Sequence, residues 1–341
     1  MSPHRFHALT TGYSQLRVAI VGDFCLDRYL EIDPAIAEIS LETNLPVHNV
    51  VNVRSQPGAA GTILNNLVAL GVGAIYPVGF CGEDGEGYEL LRALRAKAGV
   101  RLDHFLQTAG RRTFTYCKPL VLAPGKAPVE LNRLDSKNWT ATPDAVSARL
   151  AASLNTLAGQ VDAAILMDQV DIAETGVVTG RVLSQVQQIA TRRPALPILA
   201  DSRRSLRGFP SVIFKMNGKE LALLTGSTGD ADVDALRPLA ADLARRQGRA
   251  VFVTLAERGM IGATPDGATE HVPALPLRGE IDIVGAGDAV TANLTAALAA
   301  GATVREAMQL AMAAASIVIH QLGTTGTASV PQIQRLLFPT S

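Results

Sequence analysis

Short apolar runs rich in Val, Ile and Ala recur along the chain, and stretches with helical spacing separate them. The first run, RVAIVGD at residues 17 to 23, has the pattern of a buried parallel strand that delivers polar groups at its carboxyl end. After Pro57 the spacing turns helical at TILNNLVALG, β-like at AIYPVGF and helical again at GYELLRALRAKAG, the rhythm of βαβ units. AAILMD, PILAD, VIFKMN and AVFVTL continue as strand candidates, divided by helix candidates at VVTGRVLSQVQQIATR, KELALLTG and VDALRPLAADLARRQG. The expected class is α/β with a mainly parallel central sheet. Ligands of such sheets lie at the carboxyl ends of the strands, which makes Asp23, Asp168, Asp201, Asn217 and Thr254 the first candidates for chemistry.

Residues from Tyr29 to Arg54 break the rhythm with alternation around LPVHNVVNV, and TFTYCKPLVL and VELNRL repeat the β-like pattern later. We expect these stretches to pair as a small β-lid over residues 29–56 and 111–135, beside a large domain formed by 1–28, 57–110 and 136–341. The Ala-rich stretch from Ala289 to His320 is interrupted by Thr, Asn, Gly, Arg and Glu, which suits buried helices better than a membrane span.

With 341 residues, 48% hydrophobic and 18% charged, the chain can bury one large α/β core. Lys plus Arg equal Asp plus Glu at 31 each, so no overall field gathers nucleic acid or an anionic membrane, and an anionic ligand must be held locally. Cys25, Cys81 and Cys117 are odd in number and lack metal-ligand spacing, which fits a reducing compartment. The first residues lack the apolar core of a signal peptide, and a cytoplasmic location is expected. His48, His104 and His271 show no pairing with a serine or cysteine that would suggest a hydrolase.

The most informative segment is DIVGAGD, Asp282 to Asp288, ahead of the helix candidate AVTANLTAALAAG. Gly285, Ala286 and Gly287 let backbone approach a ligand, and a helix starting there aims free N–H groups at an anion. An acidic residue beside such a hole suits a base that takes a proton from an attacking hydroxyl. Taken alone, the segment equally allows Asp288 to be a helix cap.

DIVGAGD is similar to the D-x-x-G-A-G-D signature of PfkB-family carbohydrate kinases, and the resemblance runs through nearly the whole chain in order. VGDFCLDRY resembles the family's first strand and sugar-binding aspartate, PGAAGTILNNLVALG its Gly-Gly signature and helix, KMNGKE its N-x-x-E motif, and VTLAERG the turn beside the nucleotide. Within the family, VGDFCLDRY, ISLETNLPV, the later RLD and HQLGTTGTASV resemble the kinase domains of bifunctional ADP-heptose synthases, which phosphorylate a heptose 7-phosphate.

The resemblance implies a ribokinase-like three-layer α/β/α fold and ATP-dependent transfer to a sugar or sugar phosphate. Asp288 would be the base, with the backbone of Gly285, Ala286 and Gly287 stabilising the transferring phosphoryl group. Asp27, Gly58, Ala59, Asp168 and Arg133 would meet the acceptor, and Asn217, Thr254, Gly259 and Met312 the nucleotide. Asn217 and Glu220 would organise Mg2+ through water, although the same pair also reads as a helix-capping pattern. Asp27 also reads as a salt-bridge partner of Arg28. Asp282 and Gly323 fall where many relatives frame a monovalent cation such as K+, and relatives frequently form homodimers through their lids.

This chain departs from the family pattern at several motif positions. Ala59 replaces the second glycine, Thr62 an asparagine, Val284 a threonine, Ala256 the glycine of the nucleotide turn, and Met312 an asparagine. Glu38 replaces an arginine of the heptose kinases, and their lysine after Asp168 is missing. A weakly active sugar- or nucleotide-binding relative and a nucleoside kinase therefore stand as alternatives.

Overall fold

The computed structural model describes residues 1–227 and 232–339. The strands are β1 (Arg17–Gly22), β2 (Phe24–Ile39), β3 (Pro46–Ala59), β4 (Ala74–Gly82), β5 (Phe105–Thr108), β6 (Thr115–Val121) and β7 (Val129–Glu130). They continue with β8 (Ala163–Asp168), β9 (Ile198–Ser202), β10 (Ile213–Asn217), β11 (Val251–Thr254), β12 (Met260–Ala263) and β13 (Thr269–Val272). Nine of them form one sheet in the order β13-β12-β11-β10-β9-β8-β1-β4-β5. Pairing is parallel from β11 through to β5, and the β11–β12 and β12–β13 pairs are antiparallel.

Alternation within the strands divides the core into two layers. Val18 and Ile20 of β1 join the apolar cluster on one face, with helices Ala60–Ala69, Ala286–Ala299 and Val304–Val318. Ala19 and Val21 join the cluster on the other, with helices Asp144–Leu157, Gly180–Arg192 and Val233–Gln247. The arrangement is thus helix, sheet, helix, and each fully buried Ile, Leu or Phe within it contributes about 1.5–3 kcal/mol. The Ala-rich stretch forms two buried helices, and small side chains let Ala286–Ala299 lie close to Ala60–Ala69 and Val304–Val318. No helix among the described residues is long and apolar enough to cross a membrane.

The chain enters the sheet at β1, extends one way through β4 and β5, and later builds the other side from β8 onwards. The order therefore reverses at the β1–β8 boundary, where open α/β sheets place a ligand crevice. Directly after β1 the chain leaves for a second sheet, ordered β3-β2-β6-β7. This small sheet includes Phe24 to Arg28 as well as the expected lid stretches, and of VELNRL only Val129–Glu130 forms a strand. The joint is fastened by Asp84, which caps helix Gly85–Arg95 and accepts from Thr113 N at 3.0 Å and Thr113 Oγ1 at 2.6 Å.

Candidate functional site

The strand-end residues read from sequence come together on one edge of the large sheet. Met167 pairs with Asp201, Asn217 with Thr254, and Asp23 follows β1 directly. Their roles differ. Asp23 is buried and accepts from Gln169 N at 2.8 Å and Val177 N at 2.7 Å, so it fastens the loop after β8. Burial, then the neighbouring Asp168, pushes its pKa up to about 7.

Helix Ala286–Ala299 opens at Gly285, whose φ of 83° lies in the left-handed region and which provides no side-chain cap. The Ala286 N–H turns back to Ile283 O at 3.2 Å. The N–H groups of Gly285 and Gly287 make no hydrogen bond among the described residues, which leaves donors and the positive end of the helix dipole for an anion. Asp288 lies half-buried in the first turn.

Beneath this turn is a buried polar cluster. Lys215 Nζ lies 2.6 Å from Asp201 Oδ2, and Thr291 Oγ1 donates to the same oxygen at 3.1 Å. A Cβ on Gly287 would stand 3.2 Å from Lys215 Nζ, so the ammonium forms the floor of the anion hole. Burial pushes the Asp288 carboxyl up to about 7, with Asp201 and Asp27 adding to the rise and Lys215 opposing it. A carboxylate with that affinity for protons is matched to general-base work near neutrality.

Across the crevice, Asp27 stands on β2 with Gln56 of β3 and Tyr116 of β6 as its register partners. It is buried, yet its carboxylate makes no hydrogen bond or ion pair among the described residues. Arg28 pairs with Glu89 at 2.9 Å, not with Asp27. Burial raises the Asp27 pKa while Lys118 and Arg133 draw it back. Gly58 leaves room for it, since a Cβ there would stand 2.6 Å from Asp27 Oδ2. Ala59 follows at φ 52° and ψ −116°, a conformation suited to glycine. A shallow cleft lined by Cys25, Tyr116, Lys137 and Gln169 opens beside this face.

The remaining acceptor candidates are engaged by neighbouring side chains. Arg133 is exposed, forks onto Asp135 at 3.0 and 3.2 Å, and covers the Tyr116 ring at 4.9 Å. Asp168 is fully buried, with Oδ2 held by Ser202 Oγ and Arg204 Nη2, both at 2.8 Å. Its Oδ1 has no partner among the described residues.

On the nucleotide side, Asn217 and Glu220 form both bonds of a capping box, Glu220 N to Asn217 Oδ1 at 2.9 Å and Asn217 N to Glu220 Oε2 at 2.7 Å. The capping reading is thus realised, and one Glu220 oxygen remains for a hydrated cation. No group of three or more His, Cys, Asp or Glu side chains that could hold a metal occurs among the described residues. Mg2+ keeps most of its waters and takes further ligands from phosphates, so a single carboxylate oxygen such as that of Glu220 is the kind of group it uses. Thr254 Oγ1 reaches Met216 O at 3.4 Å, and Gly259, at φ 91°, closes the turn after Ala256, at φ 52°. Met312 is buried in the core between helices.

The family model described as pfkB family carbohydrate kinase matches residues 17–331. The chain belongs to the pfkB family. A pfkB relative, the bifunctional protein HldE of Azorhizobium caulinodans, is 32% identical over 309 residues, covering 90% of this chain and 61% of that protein. The chain therefore spans about three fifths of that relative's length. Among solved structures, Arabidopsis thaliana ribokinase complexed with ribose and ATP has a TM-score of 0.68 at 19% identity, covering 95% of this chain and 99% of that one. Escherichia coli phosphofructokinase-2 in complex with potassium has a TM-score of 0.67 at 18% identity, with coverage of 94% and 98%. The three-layer ribokinase-like fold is shared with both.

Sequence reading of this pfkB chain gave no role to Lys215, Thr291 or Gln56. A lysine inside the apolar run VIFKMN was the one local signal, because a charged residue on a buried strand requires a partner.

Proposed function

We propose that this sugar kinase transfers the γ-phosphate of ATP to a hydroxyl of a sugar or sugar phosphate, with heptose 7-phosphate the first acceptor to test. The observation that carries the reading is the buried carboxylate of Asp27, which has no hydrogen-bond or ion-pair partner among the described residues and whose charge reaches Asp288 beside the anion hole. Such a group needs donors from water or from a ligand in the crevice, and adjacent sugar hydroxyls supply them in fixed places.

Asp288 takes the proton of the acceptor hydroxyl, the acceptor oxygen bonds to the γ-phosphorus, and the bond to the β–γ bridging oxygen breaks as ADP leaves. ATP supplies the phosphoryl group and hydrated Mg2+ offsets its charge. Gly285 and Gly287 donate N–H groups to the phosphoryl oxygens, and Lys215 lies beneath them. Glu220 would orient water around the cation, while Thr254 and Gly259 would line the nucleotide. Gly58, Ala59, Asp168 and Arg133 shape the acceptor side. Asp282, whose Oδ1 accepts from Val284 N at 3.0 Å, and Gly323 would frame a K+ site next to the hole.

A cytoplasmic homodimer joined through the lid accompanies this reading. Exposed Ile36, Ile39, Leu41 and Leu45 on the outer hairpin support it, because that apolar surface is otherwise left in water. The deciding assay measures ADP release with Mg2+ against free sugars, sugar phosphates including heptose 7-phosphate, and nucleosides, beside Asp288→Asn. Turnover that depends on a sugar and collapses in the variant supports the proposal. Ligand binding without turnover would favour a binding-only relative, for which the strained Ala59 and Ala256 already speak.

A further inference from the structure

One side chain links the small sheet to the loop beside the anion hole. Gln56 on β3 is the register partner of Asp27 on β2, and residues directly opposite in an antiparallel pair project from the same face. Gln56 Nε2 donates to Thr325 Oγ1 at 2.5 Å, and Thr324 Oγ1 donates to Gln56 Oε1 at 3.4 Å. Thr325 is buried, and a Cβ on Gly285 would stand 3.3 Å from Thr325 Cβ. Thr325 therefore packs against the residue that begins the anion hole.

The loop carrying Thr325 is tied together as a unit. Gln321 donates to Thr327 O at 2.7 Å and accepts from Thr327 N at 3.1 Å, and Asn66 Nδ2 reaches Gly326 O at 3.4 Å. Its placement over Gly285 thus depends on a few tethers, of which, among the described residues, Gln56 alone comes from the strand pair carrying Asp27.

Building on the kinase reading above, we propose that Gln56 is a positioning residue that couples acceptor binding at Asp27 to the geometry of the anion hole at Gly285. An acceptor bound to Asp27 fixes the β2–β3 pair. Gln56 carries that placement to Thr325, which sets how Gly285 presents its N–H group. Without the link, bound nucleotide meets a hole that no longer responds to the acceptor, and water competes with the acceptor hydroxyl for the phosphoryl group.

The test compares Gln56→Ala, Thr325→Val and the double variant in the full chain, recording ATP consumed and acceptor phosphorylated in the same reaction. Each single variant should lose about tenfold in kcat on the acceptor and consume ATP in excess of product, while ATP affinity stays unchanged. The double variant should be no worse than either single one, and Thr325→Ser, which keeps the hydroxyl, should restore coupling. One-to-one stoichiometry in both single variants, or losses that simply add, overturns the proposal. Amide hydrogen exchange reads the same link without turnover: Gln56→Ala should speed exchange at Ala286 and Ala289, whose N–H groups bond to Ile283 O and Gly285 O, and unchanged exchange there sinks the idea. If the unsubstituted protein phosphorylates no acceptor, the kinase reading fails on that result, and the exchange measurement still decides the link.

Discussion

Lys215 and Asp201 form a buried ion pair, 2.6 Å from Nζ to Oδ2, directly under the glycine that precedes the candidate base. The pair acts on Asp288 with opposite signs, Asp201 raising its pKa and Lys215 lowering it. A general base must be ionised, so kcat/KM should fall as pH drops through about 7, the Asp288 value set by burial and these neighbours. Lys215→Met should move that acid limb upward and Asp201→Asn downward, each by about one unit. A pH–rate profile with the same limb in both variants would remove Lys215 from the tuning of the base.

Asp288 also links the site to stability. Its folded pKa stands above its unfolded one, so its contribution favours the fold fully below about 4 and is lost as pH rises through about 7. Asparagine lacks the buried charge. Asp288→Asn should therefore melt higher than the unsubstituted protein at pH 8, by about 1–3 kcal/mol after allowing for its partial exposure, and the gap should close toward pH 4. The same variant should lose about 10²–10⁴-fold in kcat. A lower melting temperature at pH 8 would mean that the carboxylate is stabilised by contacts other than those described.

How much was legible in the sequence depended on how local the signal was. The run RVAIVGD showed both its strand and its polar end, because alternate residues face the two apolar layers and the next residues reach the crevice. Strands β5, β12 and β13 have only four residues each, too short for a period to emerge. Asn217 and Glu220 fitted both a cap and a cation site, and only geometry shows that the capping box forms. Lys215 carries no motif, and its partner Asp201 comes from β9, a different strand. Gln56 and Thr325 are 269 residues apart, and although Thr325 lies in the string HQLGTTGTASV nothing there points to Gln56, so only the folded chain shows that they meet.

Gly58 and Asp27 give a prediction about the acceptor alone. A methyl group on Gly58 would stand 2.6 Å from Asp27 Oδ2 and 2.9 Å from Oδ1, closer than side-chain atoms approach. Gly58→Ala must therefore swing the carboxylate out of its place. The acceptor KM should rise by about tenfold or more, with ATP binding intact, as measured by initial rates and by nucleotide titration. An unchanged acceptor KM would show that Asp27 is not what the acceptor meets.

Ala59 carries backbone strain at the first turn of helix Ala60–Ala69, in the segment that follows Gly58. Its φ of 52° with ψ −116° crowds its Cβ against the neighbouring backbone, at a cost of about 1–3 kcal/mol that glycine would escape. Glycine adds flexibility to the unfolded chain, which offsets up to about 1 kcal/mol of that gain. Ala59→Gly should thus raise the melting temperature, the reverse of the usual effect of placing glycine at a helix start. The methyl also packs against the apolar layer that includes Cys25 and Phe114, so its loss should widen the acceptor side and lower discrimination among sugars. Thermal unfolding and kcat/KM across the acceptor panel check both halves. A destabilised variant would show that the methyl's packing outweighs the strain, and an unchanged ranking of acceptors would remove Ala59 from substrate selection.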